Sequence, residues 1–167
     1  MQLEMDIEDW PPPASDWADW EALATRAAEA VAAIEPALAN PRLTVSLLFT
    51  SDAEVHALNR EWRERDKPTN VLSFPMLERV DLVHLDPEEG LPEMLGDIAL
   101  AHETCAREAA EKGISLEHHA AHLIVHGLLH LAGHDHVTSD EDAEKMEAME
   151  IAALAKLAIA DPYGDRT

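Results

Sequence analysis

Three histidines near residue 130 have the spacing of ligands that hold one metal ion. They occur in the stretch His126-Gly-Leu-Leu-His130-Leu-Ala-Gly133-His134-Asp135-His136. In a helix of about 3.6 residues per turn, His126 and His130 lie one turn apart on the same face. Gly133 tolerates the left-handed conformation that ends helices, so the chain can turn back and bring His136 to the same ion. The spacing therefore predicts a three-histidine metal site.

The ligand types favour a catalytic zinc site over a structural one. Three neutral imidazoles leave a fourth position open for water or substrate, whereas structural zinc sites usually close with cysteine. The single cysteine, Cys105, is remote from the histidines in sequence. We therefore expect one Zn²⁺ ion as cofactor, although imidazole ligands also accept other first-row divalent metals.

The residue after the first histidine separates two classes of metal enzyme. The same histidine spacing occurs in the metzincin proteases, H-E-x-x-H-x-x-G-x-x-H, which place a glutamate there as general base. In this chain that position is Gly127. The substitution weighs against proteolysis, but a metal-dependent peptidase or amidohydrolase stays open as an alternative on the same ligands.

The histidine segment and three further segments resemble those of one enzyme family. Residues 126–136 look like the signature H-G-x-L-H-L-x-G-x-D-H of the YbeY family of metal-dependent endoribonucleases. The segments 58–63, 68–75 and 95–98 resemble that family's L-N-x-x-[WY]-R, P-T-[DN]-V-L-S-F-P and L-G-D-I blocks, in the same order. One departure is His134, where the family usually carries an aromatic residue.

The resemblance implies a function and a set of partners. It implies a single-strand-specific endoribonuclease that acts in maturation of the 3′ end of 16S ribosomal RNA and in ribosome quality control. The implied partners are single-stranded or ribosomal RNA and small-subunit ribosomal proteins, with no DNA and no membrane. A ribosome-assembly factor whose metal is architectural is the other alternative, and it predicts that removing His130 destroys folding as well as turnover.

Charge is the main argument against RNA as a substrate. The chain has 12 basic and 34 acidic residues, a formal net charge of −22, whereas RNA phosphates are normally met by lysine and arginine. However, Arg60, Arg63, Arg65 and Lys67 fall within eight positions. Because a guanidinium can bind phosphate through two hydrogen bonds, we expect Arg63 to be a catalytic phosphate contact. The alternative is a solvated helix end.

Asp135 is the second candidate catalytic residue, because it lies directly before the third histidine. We expect its carboxylate to accept a hydrogen bond from a ligand imidazole and so to select the tautomer that binds metal. A role as general base is the alternative. Whether water or the RNA 2′-hydroxyl attacks the phosphorus stays open.

The sequence predicts one α/β (α+β) domain over residues 1–167, with a mixed sheet of about four strands packed by about five helices. Strands are expected near 2–8, 43–50, 70–74 and 95–100, and helices near 16–34, 52–62, 102–112, 115–132 and 139–160. The helix before Gly133 is the metalloprotease-like metal helix. Residues 76–94, which carry acidic residues, prolines and a glycine, are expected to form a loop that flanks the site.

The chain is expected to be cytoplasmic. No stretch approaches the apolar length that spans a bilayer, and the acidic amino terminus is unlike a signal peptide. One cysteine excludes an internal disulfide and suits a reducing compartment. We expect Cys105 to be a small core residue and not a reactive thiol.

Overall fold

The structure is a computed structural model that describes residues 1–13, 17–63, 69–135 and 139–163. At Arg63 it describes the backbone and not the side chain. Four strands are present in these ranges: β1 (Gln2–Ile7), β2 (Leu43–Thr50), β3 (Val71–Pro75) and β4 (Glu93–Ala101). The α-helices are α1 (Trp20–Ile34), α2 (Asp52–Arg63), α3 (Arg79–Val83), α4 (His102–Lys112), α5 (Leu116–Leu131) and α6 (Asp140–Ala155), and a 3₁₀ turn spans Pro36–Ala39. Within these ranges, no helix combines the length and the apolar character needed to cross a bilayer.

The four strands form one mixed sheet in the order β1-β2-β4-β3. Strands β1, β2 and β4 are parallel, and β3 pairs antiparallel with β4 at the sheet edge. Each connection between neighbouring parallel strands contains at least one helix, as is usual for such crossovers. This architecture confirms the predicted α/β fold with a mixed sheet.

The two faces of the sheet are covered unequally. Helices α1 and α5 pack together on one face, and α6 packs against both of them, which buries the larger apolar cluster with Val45, Leu47 and Phe49 of β2. On the other face α2 covers a smaller cluster that includes Val55 and Leu72. As a result α5 is the central helix of the thicker layer, between the sheet and α6.

Helix α5 begins and ends where the sequence predicts. The Ser115 hydroxyl accepts a hydrogen bond from the amide of His118 at 3.1 Å, which caps the first turn. At the other end Gly133 has a φ of +100°. Its amide donates to the carbonyl of His130, and the amide of His134 donates to the carbonyl of Leu129, each at 3.0 Å. This pair of bonds is the Schellman motif that turns the chain out of a helix.

Two predicted elements differ from the structure. Helix α1, expected from about residue 16, begins at Trp20, and the carboxylate of Asp19 caps it by accepting from the amide of Ala22 at 2.7 Å. Residues 76–94 contain α3, where a continuous loop was expected. Leu82 on this helix is only 2% exposed, so burial of an apolar side chain outweighs the loop-like composition of its neighbours.

The rest of the 76–94 segment is held against the body of the protein. The guanidinium of Arg42 donates to the carbonyls of Asp86 at 2.8 Å and Leu91 at 3.1 Å. The side chain of Asn40 donates to the carbonyl of Leu85 at 3.0 Å. These bonds tie residues 85–91 to the chain just before β2, which favours a fixed connector over a mobile gate.

Cys105 is expected to resist thiol reagents in the native protein and to react once the chain is unfolded. It is fully buried, and burial, with the nearby carboxylates of Glu108 and Asp52, raises its pKa to about 12. Because the thiolate is the reactive species, almost none is available at pH 8. A chromogenic disulfide reagent added with and without denaturant measures this. Rapid labelling of the folded protein would show that the prediction is wrong.

Candidate metal centre

After its first turn, the central helix reaches solvent at His126 and His130. From His119 to Leu131 every residue of α5 is buried except these two, which are partly exposed. They are one turn apart, so both imidazoles leave the helix on the same face. A helix surrounded by core on its other sides therefore presents a pair of histidines at the surface, as the sequence predicts.

Each of these imidazoles has a partner at its Nδ1 atom. Nδ1 of His130 lies 2.8 Å from the hydroxyl of Ser73 on β3. Nδ1 of His126 lies 3.4 Å from Oε1 of Glu150 on α6. When Nδ1 carries the proton and donates it to an oxygen, Nε2 keeps its lone pair and can bind a metal ion. The carboxylate of Glu150 can only accept, so it selects this tautomer in His126. The hydroxyl of Ser73 can accept from Nδ1 of His130 in the same way and fixes the orientation of that ring.

Glu150 is a buried carboxylate that joins three side chains. It is 1% exposed, and its Oε1 accepts from Nε2 of His122 at 2.6 Å and from the hydroxyl of Tyr163 at 3.0 Å, besides its contact with His126. Burial on its own would raise the pKa of Glu150, but hydrogen bonds from His122 and His126 outweigh it and lower the pKa to about 2. Glu150 is therefore an anion at neutral pH, fixed behind the first histidine.

Replacing Glu150 by glutamine is expected to lower the free energy of unfolding by about 3 kcal/mol, because it breaks a buried charged network. The stabilising effect of Glu150 is complete above its ordinary pKa of 4.5 and is lost as the pH falls towards 2. Urea unfolding at pH 7 measures the difference. Glu144→Gln, at an exposed position of the same helix, is the control, and equal losses in both variants would contradict the assignment.

The third predicted ligand and the basic cluster lie partly outside the described residues. His136, Arg65 and Lys67 are outside them altogether, and Arg63 is placed by its backbone alone, in the last turn of α2. Among the residues that the structure describes, which leave out His136, no group of three histidine, cysteine or acidic side chains is arranged to hold a metal. The three-histidine site and the role of Arg63 thus stay predictions.

A cleft of about 530 Å³ lies beside His130. Its walls are residues 75–79, which lead from β3 into α3, and residues 130, 131 and 133–135 at the end of α5. The predicted catalytic residue Asp135 is half-buried in this wall. Met76 belongs both to this cleft and to the neighbouring cavity that Trp62 lines. The last turn of α2, which carries Arg63, therefore lies beside the cavity that adjoins the cleft at His130.

Gly127 does not point towards the histidine cleft. A Cβ atom at this position would lie 3.0 Å from Cδ1 of Ile98 on β4 and 3.4 Å from two other atoms of that side chain. The residue after His126 therefore faces the sheet, where a glutamate could not act on a water near the imidazoles. The contact with Ile98 explains why a glycine fits this position. Without a glutamate here, the protein lacks the general base of the metzincin peptidases.

Sequence reasoning missed Glu150 and Ser73 as the residues that orient the imidazoles. Glu150 lies in an alanine-rich and glutamate-rich helix, where nothing in composition separates it from its exposed neighbours. Ser73 lies inside a segment that reads as an ordinary strand. Both contacts join residues at least 24 positions apart in the chain, at 150 and 126 and at 130 and 73, so local patterns carry no signal for them.

The fold and the site define a class of protein: a mixed α/β sandwich whose central helix presents two oriented histidines, one of them in the wall of a cleft. A family model described as Endoribonuclease YbeY matches residues 8–158. The chain is 71% identical over 167 residues to an Endoribonuclease YbeY of Erythrobacter litoralis, with 100% of both chains covered. It is 58% identical over 161 residues to an Endoribonuclease YbeY of Novosphingobium aromaticivorans, with 96% of this chain and 95% of that one covered. The chain belongs to the YbeY family.

A solved structure is similar in fold. The solution structure of TM1509 from Thermotoga maritima has a TM-score of 0.57 and 21% sequence identity, and the match covers 98% of this chain and 91% of that one. At this identity the likeness concerns the arrangement of helices and strands alone. It agrees with the α/β fold described above.

Proposed function

We propose that this protein is a metal-dependent endoribonuclease that cleaves single-stranded RNA during maturation of the 3′ end of 16S ribosomal RNA. The observation that carries the proposal is the pair His126 and His130, each contacted at Nδ1 by an oxygen atom, with His130 in the wall of a cleft. Membership of the YbeY family supports RNA as the substrate class. Small-subunit ribosomal RNA and its proteins are the proposed partners, and the cytoplasm is the proposed compartment.

The donor set fits one zinc-type ion. His126 and His130 would bind it through Nε2, and His136 would complete a three-imidazole set of the catalytic kind. A zinc-type ion held by these residues would supply Lewis acidity and would make a water molecule acidic near neutral pH. Glu150 favours the tautomer of His126 that binds metal through Nε2, and Ser73 orients the ring of His130.

The remaining residues have proposed roles in handling the RNA strand. The cleft beside His130 would hold the phosphodiester next to the imidazoles. Arg63 would bind a phosphate oxygen and stabilise the added negative charge at phosphorus. Asp135, at the wall of the same cleft, would accept a hydrogen bond from an imidazole. The orientation of Gly127 towards Ile98 counts against the peptidase alternative.

The test is cleavage of a single-stranded RNA that carries the 3′ end of small-subunit ribosomal RNA. Zinc-loaded protein is compared with His126→Ala purified identically, and each is assayed again after chelation and after reloading with zinc or manganese. Cleavage by the wild-type protein alone, lost on chelation and restored best by zinc, would support the proposal. Equal cleavage by both proteins would assign the activity to a contaminant, and no cleavage by either with metal bound would point to another substrate.

Arg63→Gln is expected to weaken binding of single-stranded RNA about 10- to 100-fold, because a hydrogen bond to a charged group contributes about 1.5–3 kcal/mol. Affinity of the wild-type protein is expected to fall as salt is raised. Filter binding at several salt concentrations measures both effects. Arg26→Gln, at an exposed position of α1, is the control for the loss of one positive charge. Affinity that is independent of salt would contradict a phosphate contact.

A further inference from the structure

Trp62 lies in the last turn of α2 and is open to solvent. Its side chain is 67% exposed, the largest fraction of any aromatic residue that the structure describes. It lines a cavity of about 520 Å³, the Trp62 cavity, which lies between the end of α2 and the face of β2, β3 and β4 that α2 covers. Because a large aromatic surface left in water is unfavourable, such a side chain commonly marks a contact with a ligand or partner. The Trp62 cavity is therefore a candidate binding site.

One row of residues across three strands forms the base of the Trp62 cavity. Asp97 of β4 pairs in register with Ser46 of β2 on one side and with Phe74 of β3 on the other. Residues opposite each other on neighbouring strands point to the same face of a sheet, and all three line the cavity. An acidic side chain thus lies between a hydroxyl and an aromatic ring, in a cavity whose other walls are apolar.

Asp97 is half-buried and can accept more hydrogen bonds than the one that it receives from Ser46. Burial raises the pKa of its carboxyl group, and the hydrogen bond from Ser46 offsets part of that effect. An ionised carboxylate has two oxygens with about four acceptor positions. Because a partly desolvated carboxylate is stabilised by a further donor, the cavity favours a ligand that combines a flat apolar surface with an N–H group at its edge.

The Trp62 cavity adjoins the cleft beside His130 at the edge of the sheet. Met76 lines both spaces. The edge strand is β3, and its side chains alternate between the two faces of the sheet. Ser73 contacts His130 on the α5 side, and the next residue, Phe74, lines the cavity on the α2 side. An RNA strand that crosses this edge would therefore have a phosphodiester at the histidine and a neighbouring nucleotide at the cavity.

We propose that the Trp62 cavity binds one unpaired nucleobase of the RNA strand, stacked on the indole of Trp62, with its exocyclic amino group donating to Asp97. Stacking on aromatic side chains, together with hydrogen bonds to the edge of the base, is how proteins commonly bind unpaired RNA bases. The proposal rests on the proposed function as a single-strand endoribonuclease, but the base contact itself needs neither the metal nor the histidines. Cytosine has an amino donor where uracil has a carbonyl acceptor, so Asp97 is expected to favour cytosine.

The experiment measures how tightly the zinc-loaded full chain binds labelled octamers of cytidylate and of uridylate. The wild-type protein is expected to bind the cytidylate octamer at least about fivefold more tightly, the effect of one favourable hydrogen bond to a base edge. Trp62→Ala is expected to weaken binding of both octamers about 5- to 100-fold, whereas Trp62→Phe keeps a stacking surface and should lose less than about threefold. Leu91→Ala, at an apolar side chain that is 80% exposed outside the cavity, is the control. Where an octamer is cut during the measurement, kcat/KM of the same reaction takes the place of the dissociation constant.

Two variants separate base recognition from a structural role of Asp97. Asp97→Asn removes the negative charge and gives the side chain a donor as well as an acceptor, so the preference for cytidylate is expected to disappear. Ser46→Ala removes the hydrogen bond that Asp97 accepts and leaves the carboxylate in place, so the preference is expected to remain. Circular dichroism of each variant checks that it is folded.

Failure of the base site and failure of the proposed function give different results. If the wild-type protein binds neither octamer, the proposed function fails and the base site fails with it. If it binds RNA but Trp62→Ala binds as tightly, or Asp97→Asn keeps the preference for cytidylate, the base site is wrong and the endoribonuclease proposal stands. Sedimentation velocity tests for another occupant. A wild-type dimer that Trp62→Ala abolishes, with RNA binding unchanged, would assign the cavity to a second copy of the chain and overturn the proposal.

Discussion

Replacing His130 by alanine is expected to lower RNA cleavage about 10³-fold or more while the protein stays folded. Loss of one of the three proposed ligands would remove the bound ion and the Lewis acidity that it would supply, which is worth several kcal/mol of the barrier. The fold should survive because His130 is partly exposed and contributes little to the apolar core around α5. Single-turnover cleavage of a single-stranded RNA, with circular dichroism of the same sample, measures both quantities.

A matched histidine controls for a change of residue type. His118→Ala lies in the first turn of the same helix, three turns from His130, and is also partly exposed. It should keep nearly full activity. An unfolded His130→Ala would favour the alternative in which the metal is architectural and the protein serves ribosome assembly. A folded and fully active His130→Ala would remove this histidine from the chemistry altogether.

Replacing Gly127 by glutamate is expected to destabilise the protein by at least about 4 kcal/mol and to create no peptidase activity. The substitution introduces the general base of the metzincin proteases at the expected position in the sequence. In the structure, however, its Cβ would press on Ile98 at 3.0 Å, and its side chain would begin in the buried space between α5 and β4. An uncompensated buried charge and overpacking both act against folding.

Thermal and urea unfolding measure this loss, and a casein or peptide cleavage assay tests for the new activity. His118→Glu is the control, since it adds the same side chain to the same helix in its first turn, where an acidic residue is favourable. It is expected to change stability by less than about 1 kcal/mol. A stable Gly127→Glu variant that cleaves peptides would show that position 127 faces the metal and not the sheet.

Much of the fold follows from local patterns. The strands expected near 2–8 and 43–50 and the helices expected near 102–112 and 115–132 agree with the structure, in which Gly113 and Gly133 end α4 and α5. These features depend on neighbours within about five residues, such as a serine that caps a helix or a glycine that tolerates a positive φ. Helix α3 was missed because its five residues are stabilised by the burial of Leu82, a contact with residues far away in the chain.

The candidate site also has features that the sequence predicts and others that only the tertiary structure determines. The spacing of His126 and His130 in the sequence was enough to place both imidazoles on one helix face, because helical geometry is local. The sequence also identified the glycine that ends the helix and the family to which the chain belongs. Tertiary structure alone decided that Ser73 and Glu150 lie behind the two imidazoles, that Gly127 faces Ile98, and that Glu35 reaches His134 across 99 positions. The physical reason is that the tautomer of a histidine, the charge state of a buried carboxylate and the position of a turn each depend on the surrounding atoms. The fold brings those atoms together from distant parts of the chain.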